Sequence, residues 1–480
     1  WFGDCVTART SSHHWLQESF ATHYDLTYQG IAFGQDHFDW ERRNATRQAI
    51  EQSKTDLKPI AHSQAGTVRH YPKGAYVLQM LKYVVGKESF NKAVNHYLTK
   101  HAYENVNSED FLLAFFESQG ISLNWFWEDW IYRGGEPSYE VDYEDESDDY
   151  ERVTFHVRQV HTKNEWVDNF KMPIFFEVHY KDGTKERQKA WIEKDYHAVH
   201  VPIQKGKKIE YVLFDPGSQI MKTVRFEKPF EMLTVQAMKA SSVLDRYDAV
   251  MAMNSYALDK KRNVLQDVVQ TNQFYAVRSA ALKQLYGDVE SAEIFREALA
   301  DKDVNMRKET LKLLNRIPSP LKPNCEKLLN DSSYEIISSA LHKLCMSFPA
   351  DAGKYLEQTK DTEGTYKKNV RLKWLEMANL YEKNPDYLNE LIDYTSPSFE
   401  FGTRVEAART LQRLNFLNEA MIGNIIHGIN SFNSRLRNPM KKVLKHFHAQ
   451  TMYRHMIVNY IEKNNWTGLE RRRLAPYSTL

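Results

Sequence analysis

The chain has little cysteine, no long apolar run and almost no net charge, and each shortage removes a class of protein. Its three cysteines, Cys5, Cys325 and Cys345, lie far apart and form no CxxC pair. That excludes a disulfide framework and a cysteine-ligated zinc site. No apolar stretch approaches the length of a membrane span, so no integral membrane segment is expected. Lys plus Arg number 64 against 63 for Asp plus Glu. This balance offers no general reason to expect nucleic acid or a membrane surface as the partner. The start, Trp1-Phe2-Gly3, reads as neither an initiator methionine nor a signal peptide, and further sequence is expected upstream. Scarce cysteine fits a cytoplasm and a bacterial periplasm equally.

What is present is a chain able to fold. Its 480 residues are 42% hydrophobic and 13% aromatic, enough for two to four domains with real cores and too apolar for a disordered chain. Residues 1–137 read as mostly helical. Thr10-Ser11-Ser12 offers cap candidates before Trp15, Phe20 and Tyr24. Leu78, Leu81 and Val85 fall at helical spacing before the stop at Gly86, and Ser108 to Glu117 forms a further segment before Gly120. The cluster Trp125-Phe126-Trp127 with Trp130 is expected to fill a core, and Gly134-Gly135-Glu136-Pro137 breaks the helix at a domain boundary.

From 138 to about 230 the period changes to two. Val153, Phe155 and Val157 alternate, as do Phe176, Val178 and Tyr180, with Lys181-Asp182-Gly183-Thr184 as a hairpin turn and Asp215-Pro216-Gly217 as another. Short strands at this spacing predict a small β-sandwich. The acidic run Glu144 to Asp149 lacks the glycine and ligand spacing of a calcium loop and reads as a solvated turn. From 231 to 480 the chain is helical again and repetitive. Apolar positions recur at Val250, Leu282, Leu311, Leu341, Leu375, Leu411 and Met440, with separations of 32, 29, 30, 34, 36 and 29. Such a period predicts stacked helix pairs like degenerate HEAT repeats. Arg471-Arg472-Arg473 reads as a solvated helix end, because no aromatic or glycine interleaving marks a nucleic-acid site.

Two segments carry chemistry. The first runs from Trp1-Phe2-Gly3-Asp4 through His13-His14-Trp15-Leu16-Gln17-Glu18-Ser19-Phe20-Ala21; the second is Tyr71-Pro72-Lys73-Gly74-Ala75. Pro72 suits a first helical position, and Gly74-Ala75 would let a helix pack closely against a neighbour. Read without context, Glu18 is a solvated carboxylate on an amphipathic helix, and Tyr71 is one of 27 tyrosines. His14 and Glu18 stand at i, i+4 with His23 close by, so a metal site among these three is conceivable from spacing.

Together the segments resemble the M1 family of zinc aminopeptidases, the gluzincin, aminopeptidase N-like group. In that family HExxH-x18-E supplies two histidine ligands, a glutamate base and a third, glutamate ligand. Gln17-Glu18-Ser19-Phe20-Ala21 is similar to the third-ligand segment, which would make Glu18 a zinc ligand. If Glu18 closes the motif, the second histidine falls two residues before Trp1, and HExxH is absent from all 480 residues. Catalytic zinc needs three protein ligands and an open water position, so Glu18 alone cannot hold it. The resemblance makes Tyr71 the donor to the oxyanion of the tetrahedral intermediate, with Lys73 structural.

The family's fold then implies a mainly α, multidomain chain. Residues 1–137 would be the helical, C-terminal part of a thermolysin-like catalytic domain, 138–230 a β-sandwich, and 231–480 an α-superhelix of HEAT-like repeats. The implied activity is zinc-dependent removal of N-terminal residues from peptides with a free N-terminus, with one Zn2+ per complete enzyme and no nucleic acid as partner. This chain alone is expected to be inactive. The alternative is a non-catalytic scaffold of M1 type that binds a protein partner through its helical repeats. Retention of both Glu18 and Tyr71 argues against it, because a scaffold has no physical need for either.

Overall fold

A computed structural model describes residues 1–271, 273–382 and 384–479. The fold is mainly helical with small sheets. It divides into two compact units, Trp1–Leu285 and Tyr286–Leu480. That division falls inside the segment read from sequence as one helical array.

The first unit begins with β1 (Val6–Ala8), α1 (Trp15–Phe33) and α2 (Gln35–Ser53). A π-helical turn, Arg69–Lys73, runs directly into α3 (Gly74–Val85), followed by α4 (Lys87–Lys100), β2 (Glu104–Val106), α5 (Ser108–Gln119) and α6 (Asn124–Trp127). β1 and β2 pair in parallel. Local chemistry sets the boundaries. Asn107 and Asp110 form a reciprocal capping box at the start of α5, and Gly120 closes that helix in the left-handed region. Gly86, at φ 85°, ends α3 as expected. Thr10, Ser11 and Ser12 do not cap α1. They form a short 3-10 turn, and neither Thr10 nor His14 makes a side-chain capping bond. Pro72 is not at a first helical position either. It lies inside the π turn, where the wider winding accommodates a residue that has no N–H to donate.

Strands β3 (Ser138–Glu146), β4 (Arg152–Gln159), β5 (Met172–Tyr180), β6 (Lys185–Ile192), β7 (Tyr196–Pro202), β8 (Ile209–Phe214) and β9 (Thr223–Phe226) form two sheets. Their orders are β7-β4-β3-β9 and β6-β5-β8. Alternation works as read: Val153, Phe155 and Val157 are buried, as are Phe176, Val178 and Tyr180. The inward faces meet through aromatic rings, Phe155 on Phe176 at 5.1 Å and Tyr139 on Phe214 at 5.4 Å. The acidic run is only partly a turn, since Glu144–Glu146 completes β3 and residues 147–150 make the turn. Trp127, Trp130 and Phe126 are buried in an apolar core that runs continuously from Val6 to Met221.

The turn after β8 carries positive φ at Asp215, Gly217 and Ser218 and leads from one sheet to the other. Asp215 is buried, accepts the N–H groups of Gln219 and Ile220, and pairs with Lys222 at 2.5 Å. Arg42 of α2 and the Tyr76 hydroxyl of α3 both donate to the Ser218 carbonyl, at 2.9 and 2.7 Å. Four helices follow: α7 (Phe230–Lys239), α8 (Val243–Ala252), α9 (Leu258–Gln270) and α10 (Tyr275–Gln284).

The recurring apolar positions occupy alternate α-helices. Val250 and Leu282 lie on α8 and α10. In the second unit Leu311, Leu341, Leu375, Leu411 and Met440 lie on the helices Val304–Leu313, Tyr334–Ser347, Asn369–Tyr381, Phe401–Arg413 and Ser434–His448. All seven are buried, so each helix of this set uses the repeated position as its core contact. Leu341→Ala should therefore lower unfolding free energy by about 2–5 kcal/mol. Leu380→Ala, on an exposed position, should change it by less than about 0.5 kcal/mol. Urea unfolding of both variants checks the contrast.

Candidate active site

Glu18 lies on the first turn of α1, one turn beyond His14, and the His14 Nε2 to Glu18 Oε1 distance is 3.4 Å. The π turn sits beside this helix face. It brings His70 to His14, with ring centroids 5.4 Å apart and edge to face, and it turns the Tyr71 hydroxyl toward the Glu18 carboxylate. Partial burial, then the Glu18 carboxylate, raise the Tyr71 pKa. Burial, then the neighbouring His14, lower that of His70, against an opposing pull from Glu18. Two residues singled out from sequence, Glu18 and Tyr71, thus share one site.

The docking of the two segments has an identifiable cause. The Ser19 hydroxyl, next to Glu18, donates to the His70 carbonyl at 2.7 Å. A Cβ on Gly74 would stand 1.8 Å from that same hydroxyl oxygen. Any side chain at 74 would force the π turn away from α1, so the close approach read from Gly74-Ala75 is made against α1.

Behind the site the π turn is anchored by charge. Arg69 and Lys73 flank Tyr71 and are fully buried. Arg69 Nη1 and Lys73 Nζ both reach Glu136 Oε1, at 2.8 and 3.0 Å. Ser53 donates to Glu136 Oε2 at 2.6 Å, and Lys73 also donates to the Gly135 carbonyl at 2.7 Å. Burial pushes the Glu136 carboxyl up, but Lys73, Arg69 and Ser53 outweigh it and hold the pKa below the ordinary value. Burial lowers Lys73 to about 8, against the pull of Glu136. Gly134 is required beside this cluster, because a Cβ there would meet the Leu57 carbonyl at 1.6 Å. The Gly134-Gly135-Glu136 segment, read as a helix breaker at a boundary, therefore also anchors the two residues that end the π turn on either side of Tyr71.

The histidines separate. His13 Nδ1 accepts the Ser108 N–H and pairs with its hydroxyl, which places it against α5. His23 is buried against Phe90 and Tyr24, where loss of water and then Lys82 lower its pKa to about 4. It does not join His14 and Glu18, contrary to the spacing argument, because five residues of helix carry it off their face. His70 was missed from sequence. Its only sequence signal is adjacency to Tyr71, and its approach to His14 is tertiary. Among the described residues no group of three His, Cys, Asp or Glu side chains is arranged to hold a metal ion. The described residues do not themselves complete a zinc site.

Residues 1–130 match the model of the peptidase family M1 domain, the stretch that holds Glu18, Tyr71 and the aromatic core. The chain is similar to leucyl aminopeptidase of Saccharolobus solfataricus, at 30% identity over 221 residues, covering 43% of this chain and 27% of that protein. It is also similar to tricorn protease-interacting factor F2 of Thermoplasma volcanium, at 33% identity over 151 residues, covering 29% and 19%. A crystal structure of Legionella pneumophila aminopeptidase A in complex with aspartic acid superposes with a TM-score of 0.57 over 97% of this chain and 64% of that one. At 16% identity this likeness speaks for the fold. Residues 1–130 thus resemble the peptidase family M1 domain, and the relatives that the chain matches include aminopeptidases. It spans about a quarter or less of the length of these two curated relatives.

Glu136→Gln should lower stability by about 3–5 kcal/mol at neutral pH, because it leaves two buried cations without their shared anion. The sign with pH follows from the depressed carboxyl pKa. The Glu136 contribution is complete above the unfolded value of 4.5 and is lost as pH falls through the lower folded value. Denaturant unfolding of wild type and variant at pH 7 and in the acid range should show the gap closing on acidification.

Proposed function

We propose that residues 1–137 are the helical, C-terminal part of the catalytic domain of a zinc-dependent aminopeptidase that removes N-terminal residues from peptides. Glu18 is one zinc ligand and Tyr71 the oxyanion donor. Residues 138–230 form the β-sandwich domain and 231–480 the HEAT-like array, a reading supported by the buried positions on alternate helices. The observation that carries the proposal is the meeting of Glu18 and Tyr71 across the Ser19–His70 bond. A phenol held beside a carboxylate at the edge of a helix pair is placed to donate to negative charge that develops on a neighbouring oxygen. Its pKa, raised by burial and by Glu18, keeps the proton on Tyr71 at neutral pH, so it acts as a donor.

The remaining zinc ligands are expected from outside the described residues. The chain by itself should bind no stoichiometric zinc and release no residue from aminoacyl substrates. Metal analysis of the purified chain checks this, and one tightly held zinc, lost on Glu18→Ala, would overturn it. The scaffold alternative predicts the same absence of zinc. It differs in that the native, full-length protein would then be inactive as well.

In that full-length protein Tyr71→Phe should lower kcat roughly a hundred- to a thousandfold with KM little changed. Glu18→Ala should reduce zinc content as well as rate. Steady-state kinetics with parallel zinc determination separate the two effects, and a zinc-loaded Tyr71→Phe enzyme with normal turnover would remove Tyr71 from the site.

A further inference from the structure

The near-neutral balance of the whole chain conceals a segregation of charge. Residues 431–479 hold ten Lys and Arg against two Asp and Glu, a net of +8. Subtracting this from the overall +1 leaves −7 for residues 1–430. Among the described residues, none of those ten basic side chains lies in an ion pair, whereas the preceding helices pair theirs: Arg307 with Asp331, Arg371 with Glu390, Arg413 with Glu376.

The same stretch carries an exposed aromatic ring, and two of its arginines reach the loop that holds it. Phe432 lies in the short loop between the helices Glu419–Asn430 and Ser434–His448 and is 90% exposed. Two arginines fix that loop. Arg437 donates to the Ser431 and Phe432 carbonyls at 3.0 and 3.1 Å, and Arg473, from the helix Gly468–Leu474, donates to the Asn430 carbonyl at 2.7 Å. Arg435, Lys442 and Lys445 stand exposed on the long helix, and Arg471 and Arg472 on the short one. Leu469, one turn before Arg473, is also exposed.

We propose that this face docks the protein peripherally on an anionic phospholipid surface, with Phe432 entering the headgroup region and the basic residues of the same stretch meeting lipid phosphates and carboxylates. Unpaired basic residues gain about 1 kcal/mol each near such a surface, and an exposed apolar tip gains by leaving water. An aromatic ring held out by two backbone-clamping arginines loses little order on insertion. A single ring gives no series of stacking platforms for successive bases, which disfavours single-stranded nucleic acid. Peripheral docking needs no spanning segment, and no helix among the described residues is long and apolar enough to cross a membrane.

The test is co-sedimentation of the chain with vesicles of phosphatidylcholine alone and of equimolar phosphatidylcholine and phosphatidylserine. The expected result is binding to the anionic vesicles only, released as salt screens the charges. Phe432→Ser should weaken that binding about tenfold, and Arg435→Gln combined with Arg472→Gln roughly thirtyfold. Lys181→Gln, on an exposed hairpin turn, should leave it unchanged. Melting curves matching wild type assign the losses to the surface; should a variant melt early, the comparison of the two vesicle types with wild type still decides. Equal binding to both vesicles, no binding to either, indifference of anionic binding to the Phe432 and arginine changes, or tighter binding to a single-stranded RNA would overturn the proposal.

Discussion

A carboxylate can be buried between two cations only if both remain close enough to neutralise it and its other oxygen is also satisfied. Glu136 meets both conditions, with Arg69 and Lys73 on one oxygen and Ser53 on the other. The two cations are the first and last residues of the π turn, and Tyr71 is its midpoint. The position of the phenol is thus inherited from an ion cluster that never touches it. Such a cluster adds little net stability compared with an apolar core, yet it specifies one arrangement of the turn, because any shift would strand a buried charge.

The opposite side of the turn is held by shape. Ser19 and Gly74 allow α1 and the start of α3 to approach more closely than any pair of side chains would permit, and the Ser19 hydroxyl uses that approach to satisfy the His70 carbonyl. The turn is gripped by charge from below and by a hydrogen bond from the side. Glu18 and Tyr71 can then face each other with few degrees of freedom left to fix, which is the preorganisation that transition-state stabilisation requires.

Charge is handled differently along the chain. In the first unit cations are buried and neutralised, as in the Arg42–Asp39 and Lys222–Asp215 pairs that brace the turn after β8. Among residues 431–479 they are in excess, form no ion pair and are in good part exposed. Buried pairs hold a fold in register, whereas an unpaired cationic face raises the potential felt by anything that approaches it. Net charge summed over the chain cannot distinguish the two, because it discards position.

Much of the molecule is legible in the sequence because the relevant signals are local. Glycine at Gly86 and Gly120, the alternation of Val153, Phe155 and Val157, and the repeat from Val250 to Met440 each depend on backbone conformation or on a period imposed by one element. Glu18 and Tyr71 were visible through the segments around them. What only the tertiary structure decided are relations between residues far apart in sequence: the absence of His23 from the site, the arrival of His70, the joining of Arg69 and Lys73 to Glu136, and the reach of Arg473 to the loop that carries Phe432. Helical period says which face of its own helix a side chain occupies. It cannot say which other element will be packed there, since that choice is made by close packing and the neutralisation of buried charge over the whole unit.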